Sequence, residues 1–375
     1  MHLASLALHD FRSYSDITLS FVPGLNVLFG DNAQGKTNLL EAIYFLATGR
    51  SHRTVRDQEL IREGRSSLQA RAAVMRQTGE LSLEVSLGHD SRKQLKLNGI
   101  PERKISRLIG RLATVFFSPD DLNLLKGAPA GRRRFLDVEL SQISETYLHY
   151  LMTYNRVLAQ RNTLLKGDEV DASLLDVYDQ QLLSAGTQLV ARRAAAIERL
   201  APLAADYHRM FAEGKETLRL AYQSQGAEAG QTPDAQEVTE RLWSQMQQRR
   251  REEIRRQMTL VGPHRDDIGF WISERDARLY GSQGQQRTAV LALKLAELEF
   301  MAAELGENPI LLLDDVASEL DPNRRHYLLN AVQEGVQTFI TCTDLNDLTV
   351  RTWPSEHRLF RVRLGSVEVD QRGLA

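Results

Sequence analysis

The chain has 375 residues, 42% of them hydrophobic and 26% charged, with a formal net charge of −2 and one cysteine. That is the balance of a globular protein of two or three domains, not of a fibrous or low-complexity chain, and the lone Cys342 excludes an internal disulfide and fits a reducing cytoplasm. No run reaches the roughly 18 apolar residues of a membrane span, and the start of the chain, with His2, Asp10 and Arg12, has no signal-peptide pattern, so no membrane association is expected.

In chain order, residues 3–8 and 17–22 read as strands, and Leu25-Asn26-Val27-Leu28-Phe29 is a short apolar strand. It runs into Gly30-Asp31-Asn32-Ala33-Gln34-Gly35-Lys36-Thr37, a complete G-x-x-x-x-G-K-T phosphate loop, and then into residues 38–46, apolar at helical spacing. Gly30 and Gly35 let the backbone curl so that successive amides point at phosphate oxygens, and the new helix adds its positive end. Lys36 reaches the β- and γ-phosphates and Thr37 places its hydroxyl on Mg²⁺. Gly30 through Asn38 are therefore the expected nucleotide-binding residues.

Further strands are expected at 82–87, at 93–97 ending in Asn98-Gly99, and at 111–117, stopped by Ser118-Pro119-Asp120-Asp121. From about 120 to 256 helical patterns take over. The first covers 141–166, with Ile143, Tyr147, Leu151, Tyr154, Leu158 and Leu165 on one stripe. A second covers 172–211, and a third, 238–258, follows a Gly-, Ala- and Gln-rich loop at 224–236. After Leu260 strands and helices alternate again, with buried strands at 308–313 and 336–340; Cys342 reads as a small buried residue.

Ile310-Leu311-Leu312-Leu313 runs directly into Asp314-Asp315. A buried strand ending in carboxylates delivers an acid to the metal side of a phosphate loop, the Walker B arrangement, which makes Asp314 the second expected Mg²⁺ ligand. Loop and acid strand lie near opposite ends of the chain. One α/β P-loop domain is therefore assembled from both ends, 1–118 and 259–375, around a helical arm at 119–258.

Tyr280-Gly281-Ser282-Gln283-Gly284-Gln285-Gln286-Arg287 stands just before a helix at 288–305. It resembles the S-G-G-Q signature of ABC ATPases, with Ser282, Gly284 and Gln285 matching and Gln283 in place of the first glycine. In that class the signature contacts a γ-phosphate held by the other subunit. Ser318-Glu319-Leu320-Asp321 resembles the D-loop of the class, and Thr343-Asp344 stands where it carries a switch residue, often His. Together with residues 9–14, 117–122, 131–137 and 260–267 and the paired Asp314-Asp315, these segments make the whole chain resemble the RecF family, bacterial recombination-repair ATPases related to the heads of SMC proteins. The insertion is far too short for SMC coiled coils.

The resemblance implies an ABC-type head with an inserted helical arm, and an ATP-dependent DNA-binding repair protein. Two copies would close on ATP and Mg²⁺ to clamp double-stranded DNA near single-strand gaps, and hydrolysis would release it. RecR, with RecO, is the implied partner in helping to load RecA. Lys36 and the loop amides would hold the β/γ-phosphates, Thr37 and Asp314 the Mg²⁺, and Asp315 would polarise the attacking water. Ser282, Gly284 and Gln285 would act across the homodimer, with Asp321 bridging the subunits. Asp315 is one methylene shorter than the glutamate usual in the class, which predicts slow turnover, and the resemblance implies a weak ATPase stimulated by DNA. The alternative is an SMC-like nucleotide-gated DNA scaffold in which hydrolysis is incidental. No glutamine occurs near Pro119-Asp120, where the class has its Q-loop.

The triplet Arg132-Arg133-Arg134 predicts contact with DNA phosphates. Arg12, Arg50, His52, Arg53 and Arg56 are candidates for nucleotide or DNA contact. Arg249 to Arg256 are interleaved with Glu252 and Glu253, which predicts pairing within a helix. His264 either lines the catalytic side of the head or is a satisfied structural histidine. No His/Cys cluster has zinc spacing.

Overall fold

The computed structural model describes residues 1–88, 92–225, 234–316, 324–325, 328, 335–348 and 356–370. The chain packs as two units, Met1–Asp121 with Glu297–Ala375, and Leu122–Ala296. In chain order the first unit opens with β1 (His2–Phe11), β2 (Tyr14–Ser20), β3 (Leu25–Phe29), α1 (Lys36–Thr48), β4 (Ser67–Arg76), β5 (Gly79–Gly88), β6 (Lys93–Leu97), β7 (Ile100–Glu102) and β8 (Thr114–Phe117). The second unit holds α2 (Asn123–Lys126), α3 (Pro129–Ile143), α4 (Glu145–Leu165), α5 (Ala172–Phe211), β9 (Leu218–Gln223), α6 (Ala235–Arg256), β10 (Asp267–Ile272), β11 (Arg275–Asp276) and α7 (Ala277–Tyr280). Helix α8 (Gln283–Leu305) leads back to the first unit, which closes with β12 (Ile310–Leu313), β13 (Thr338–Cys342), β14 (His357–Arg363) and β15 (Ser366–Asp370).

The first unit contains two six-stranded sheets. One, ordered β2-β1-β4-β5-β6-β7, is antiparallel and built wholly from the N-terminal end. The other is ordered β15-β14-β3-β13-β12-β8 and draws on both chain ends, as expected. Its strands from β14 to β8 are parallel, and β3, β8, β12 and β13 are buried at every position, the unbroken apolar run typical of a strand covered on both faces. Phe29 is in register with Cys342, and Leu313 with Ile340, so the phosphate loop and the acid pair leave the same edge of the sheet with β13 between them. Cys342 is buried in β13.

In the second unit α5 packs against α4 and α6. Its buried positions include Leu175, Leu182, Leu189, Ile197, Leu200, Ala204 and Phe211, repeating at the three- and four-residue steps of one face. Beneath them lies a fully buried ion network. Arg161 donates to Asp179 and to Glu253, each at 2.6 Å, and to the Thr259 hydroxyl at 2.9 Å.

Several expectations differ from the structure. The helix expected at 141–166 is two helices, because Ser144 is extended (φ −142°) and its hydroxyl accepts from Tyr147 N to cap α4. β4, β9 and the β14–β15 hairpin occupy segments where no strand was expected. Helix α6 begins at Ala235, ahead of the expected 238. Residues 259–296, expected in the head, pack with the helical unit, because β10 pairs with β9 along its whole length.

Candidate nucleotide site

The turn from β3 into α1 has the backbone that phosphate cradling requires. Gly30 has φ 149° and Gly35 φ 115°. A Cβ at Gly30 would stand 2.4 Å from Val362 O, and one at Gly35 2.8 Å from Tyr14 Oη, so glycine is required at both on two grounds. Tyr14 donates to Gly35 O at 2.9 Å, and Asn38 donates to Ser13 Oγ at 2.9 Å. Asp31, Asn32 and Ala33 are exposed at the tip. Gln34 is held by the C-terminal hairpin: Leu364 N donates to its side-chain oxygen at 2.8 Å and Gly365 N to its carbonyl at 3.2 Å.

Lys36 folds over this loop, donating to Gly30 O at 2.5 Å and Asp31 O at 2.8 Å. Burial pulls its pKa down, while Asp315, Cys342, Asp314 and Asp31 oppose the shift. Next to it Thr37 Oγ1 donates to Asp314 Oδ1 at 3.0 Å, joining residues 277 positions apart. The same Asp314 oxygen accepts from Thr341 Oγ1 at 2.8 Å, and Thr341 Oγ1 in turn accepts from Asp315 N at 2.8 Å. Burial raises the Asp314 pKa; the bonds from Thr341 and Thr37 oppose that, and the neighbouring Asp315 adds to it. Asp315 adopts φ 51°, a left-handed conformation uncommon for a non-glycine residue. Thr341 went unremarked in the sequence. Its signal was a hydroxyl near the end of a buried strand, two residues before the expected switch position.

Arg12 turns out to be an internal partner. It makes a two-pronged pair with the buried Glu41 of α1, both bonds 2.8 Å, and donates to Glu59 O at 2.7 Å. Burial alone would push the Glu41 carboxyl up, but the bonds from Arg12 and from Ser51 at 2.5 Å leave it below its usual range. Arg53 donates to Asn38 Oδ1 at 3.2 Å and stands 3.9 Å from Glu41 Oε2. Thr343 and Asp344 are exposed at the end of β13, where Asp344 accepts from Asn346 N at 2.9 Å. The expected D-loop at 318–321 lies outside the described residues.

In the second unit Ser282 and Gln283 are exposed, and Ser282 caps α8. Its hydroxyl accepts from Gln285 N at 3.2 Å, while Gln285 Oε1 accepts from Ser282 N at 2.8 Å. Gly284 lies between them in the first turn, its carbonyl accepting from Thr288 Oγ1 at 2.9 Å.

Arg132 and Arg133 of the triplet are engaged within the chain, and Arg134 is exposed. Arg132 is buried, paired with both Asp267 oxygens at 2.6 and 2.8 Å, and donates to Leu124 O and Gly127 O. Arg133 donates to Asp266 O at 2.7 Å. Arg132 is removed from the expected phosphate contact because its partner acid, Asp267, sits on a strand far along the chain. On α6, Glu252 pairs with Arg249 and Arg256 as expected, whereas Glu253 turns inward to Arg161 and Arg250 bonds Asp176 and Asp179 on α5. His264 is structural: Nδ1 shares a 2.6 Å bond with Tyr154 Oη, and burial lowers its pKa to about 4. Among the described residues no group of acids, histidines or cysteines forms a metal cluster, and no helix is long and apolar enough to cross a membrane.

A parallel sheet whose phosphate-loop strand and acid strand are separated by one further strand, completed from both chain ends, with a signature-type helix cap elsewhere in the chain, defines an ABC-type ATPase head. The profile of the RecF/RecN/SMC N terminal domain matches residues 2–363. The chain belongs to this family and, within it, to the RecF proteins. It is 67% identical over 375 residues to the DNA replication and repair protein RecF of Symbiobacterium thermophilum, covering 100% of both chains. It is 43% identical to that of Halalkalibacterium halodurans, over 98% of this chain and 99% of the other. A solved structure of the recombination mediator protein RecF with ATP, in the RecFOR pathway, superposes with a TM-score of 0.90 at 34% identity, covering 98% and 97%. An Smc head bound to a domain of ScpA superposes at 0.58 with 15% identity, a likeness of fold alone.

Proposed function

We propose that the chain is an ATP-dependent DNA-binding protein of recombinational repair. In this reading two ATP-bound copies pair to clamp double-stranded DNA near single-strand gaps, slow hydrolysis releases it, and RecR with RecO is the partner in assisting RecA loading. The observation that carries the nucleotide site is the 3.0 Å bond between Thr37 and Asp314, beside the cationic Lys36. The similar RecF structure with ATP supports the choice of nucleotide, and the relatives' replication-and-repair naming supports the DNA role.

The donor set also suits Mg²⁺, which takes one or two carboxylate or hydroxyl oxygens and completes its shell with phosphates and water. Thr37 and Asp314 would hold the ion, and when bound it would neutralise charge on the phosphate oxygens. Lys36 would move from the Gly30 and Asp31 carbonyls to the β/γ-phosphates. Asp315, fixed through its amide by Thr341, would orient the attacking water. Ser282 and Gln285 would meet the γ-phosphate held by the other copy.

The test is the concentration dependence of turnover. Turnover per subunit should rise with protein concentration, and Ser282→Arg should bind ATP yet remain monomeric in sedimentation. Concentration-independent turnover by a proven monomer would sink the shared site. Asp315→Asn should accumulate the ATP-bound dimer; hydrolysis at the parental rate would remove Asp315 from the water. Stimulation of turnover by double-stranded DNA separates the clamp from a scaffold with incidental hydrolysis, which predicts none.

Thr341→Val tests the acid strand. It deletes a bond that opposes the upward shift of Asp314, so the carboxylate should take up its proton at higher pH. The acid limb of the turnover profile should move to higher pH relative to the parent. An unmoved limb would mean that another group controls it.

A further inference from the structure

Ser282, Gln285 and Glu216 form a chain of bonds that closes the signature loop on itself. The Ser282 and Gln285 pair is a reciprocal capping box, each side chain accepting from the other's amide. The Gln285 amide nitrogen then donates to Glu216 Oε1 at 2.8 Å. Glu216 lies between the end of α5 and the start of β9, and its other oxygen stands 3.9 Å from Nε2 of His208 in the last turn of α5. One carboxylate thus ties the signature to the segment that follows the longest helix of its own unit.

We propose that Glu216 restrains the signature loop, so that pairing of two ATP-bound copies requires Gln285 to leave it. This rests on the shared-site reading above. A phosphate arriving at the start of α8 competes for the amides of Ser282 and Gln285, which the box already uses. The Gln285 side chain cannot turn towards that phosphate while it donates to Glu216. The carboxylate is also favourably placed in the free subunit, close to the positive end of a helix, and becomes a like charge when an anion docks there. One such charge is worth about twofold to fivefold in an equilibrium constant, and a symmetric dimer contains two, so the restraint weakens pairing by about fourfold to twenty-five-fold. Sequence pattern could not reveal this, because the signature reads as complete without its tether.

The deciding variant is Glu216→Gln in the full chain, which keeps the shape and an acceptor oxygen and removes the charge. Pairing is measured by sedimentation of a dilution series in saturating ATP with Mg²⁺, and ATP affinity by titration of the dilute monomer. The dimer dissociation constant of E216Q should fall about fourfold to twenty-five-fold, with monomer ATP affinity unchanged. An unchanged or higher dissociation constant overturns the restraint and leaves Glu216 a scaffold for the loop. A parent that stays monomeric in saturating ATP overturns the shared-site reading, and the restraint with it.

Discussion

Lys36→Met should abolish measurable ATP binding while leaving the free protein folded. The ammonium is the one full cation that the phosphate loop itself contributes; its other donors are backbone dipoles. Hydrogen bonds to charged groups contribute about 1.5–3 kcal/mol each, so losing one to each of two phosphates costs about 3–6 kcal/mol, a hundredfold to ten-thousandfold in affinity. In the free protein the same change is mild. Burial already disfavours the charged lysine, and methionine fills its stem's space without burying a charge. Thermal unfolding checks both halves. The parent's midpoint should rise with ATP, the variant's should not, and without nucleotide the two should lie close together. A variant that keeps the full ATP-dependent rise would show that the dipoles suffice.

Arg161→Met should destabilise the helical unit by about 3–5 kcal/mol, the usual cost of leaving buried charge without its partner. Arg161, Asp179 and Glu253 are each at most 1% exposed as side chains, and Arg161 also supplies the Thr259 bond. Arg250 retains one contact to Asp179 at 3.2 Å, and among the described residues Glu253 keeps its bond from Leu260 N at 2.7 Å. Replacing all three charges with apolar residues of similar volume should recover most of the loss, since a buried ion network adds little over good packing. Urea unfolding followed by helical signal is the measurement. A loss under about 1 kcal/mol for the single change, the scale of an exposed pair such as Arg256 with Glu252, would mean that water reaches the acids.

What the chain's sequence made legible was local chemistry. The phosphate loop, the Ile310–Leu313 strand with its acids and the signature each carry their meaning within a few residues, and the structure brings Thr37 and Asp314 together although they lie 277 positions apart. What stayed hidden depended on distant partners. Arg132 looked like a free phosphate-binding side chain because nothing near it announces Asp267, with which it is buried. Arg12 was ambiguous for the same reason, its partner Glu41 lying on α1, beyond both β2 and β3. β4 was missed because Ser67–Arg76 mixes alanines and arginines and alternates weakly, so its strand character comes from pairing with β1 and β5. The Ser144 break was visible only as a capping serine inside an otherwise helical stripe.

The position of β3 has a consequence for how the protein is made. This strand carries the phosphate loop, and both of its sheet neighbours, β13 and β14, come from the far end of the chain. While the ribosome is still translating the middle of the message, β3 has no strand to pair with. The antiparallel sheet is complete by Glu102, and the second unit is continuous in sequence from Leu122 to Ala296, so both have all their residues long before. An emerging chain therefore carries an unpaired apolar strand through most of its synthesis, the condition under which nascent chains stick to one another or recruit chaperones. A product cut short before His357 would keep the complete G-x-x-x-x-G-K-T motif yet lack β14 beside β3 and the hairpin that grips Gln34.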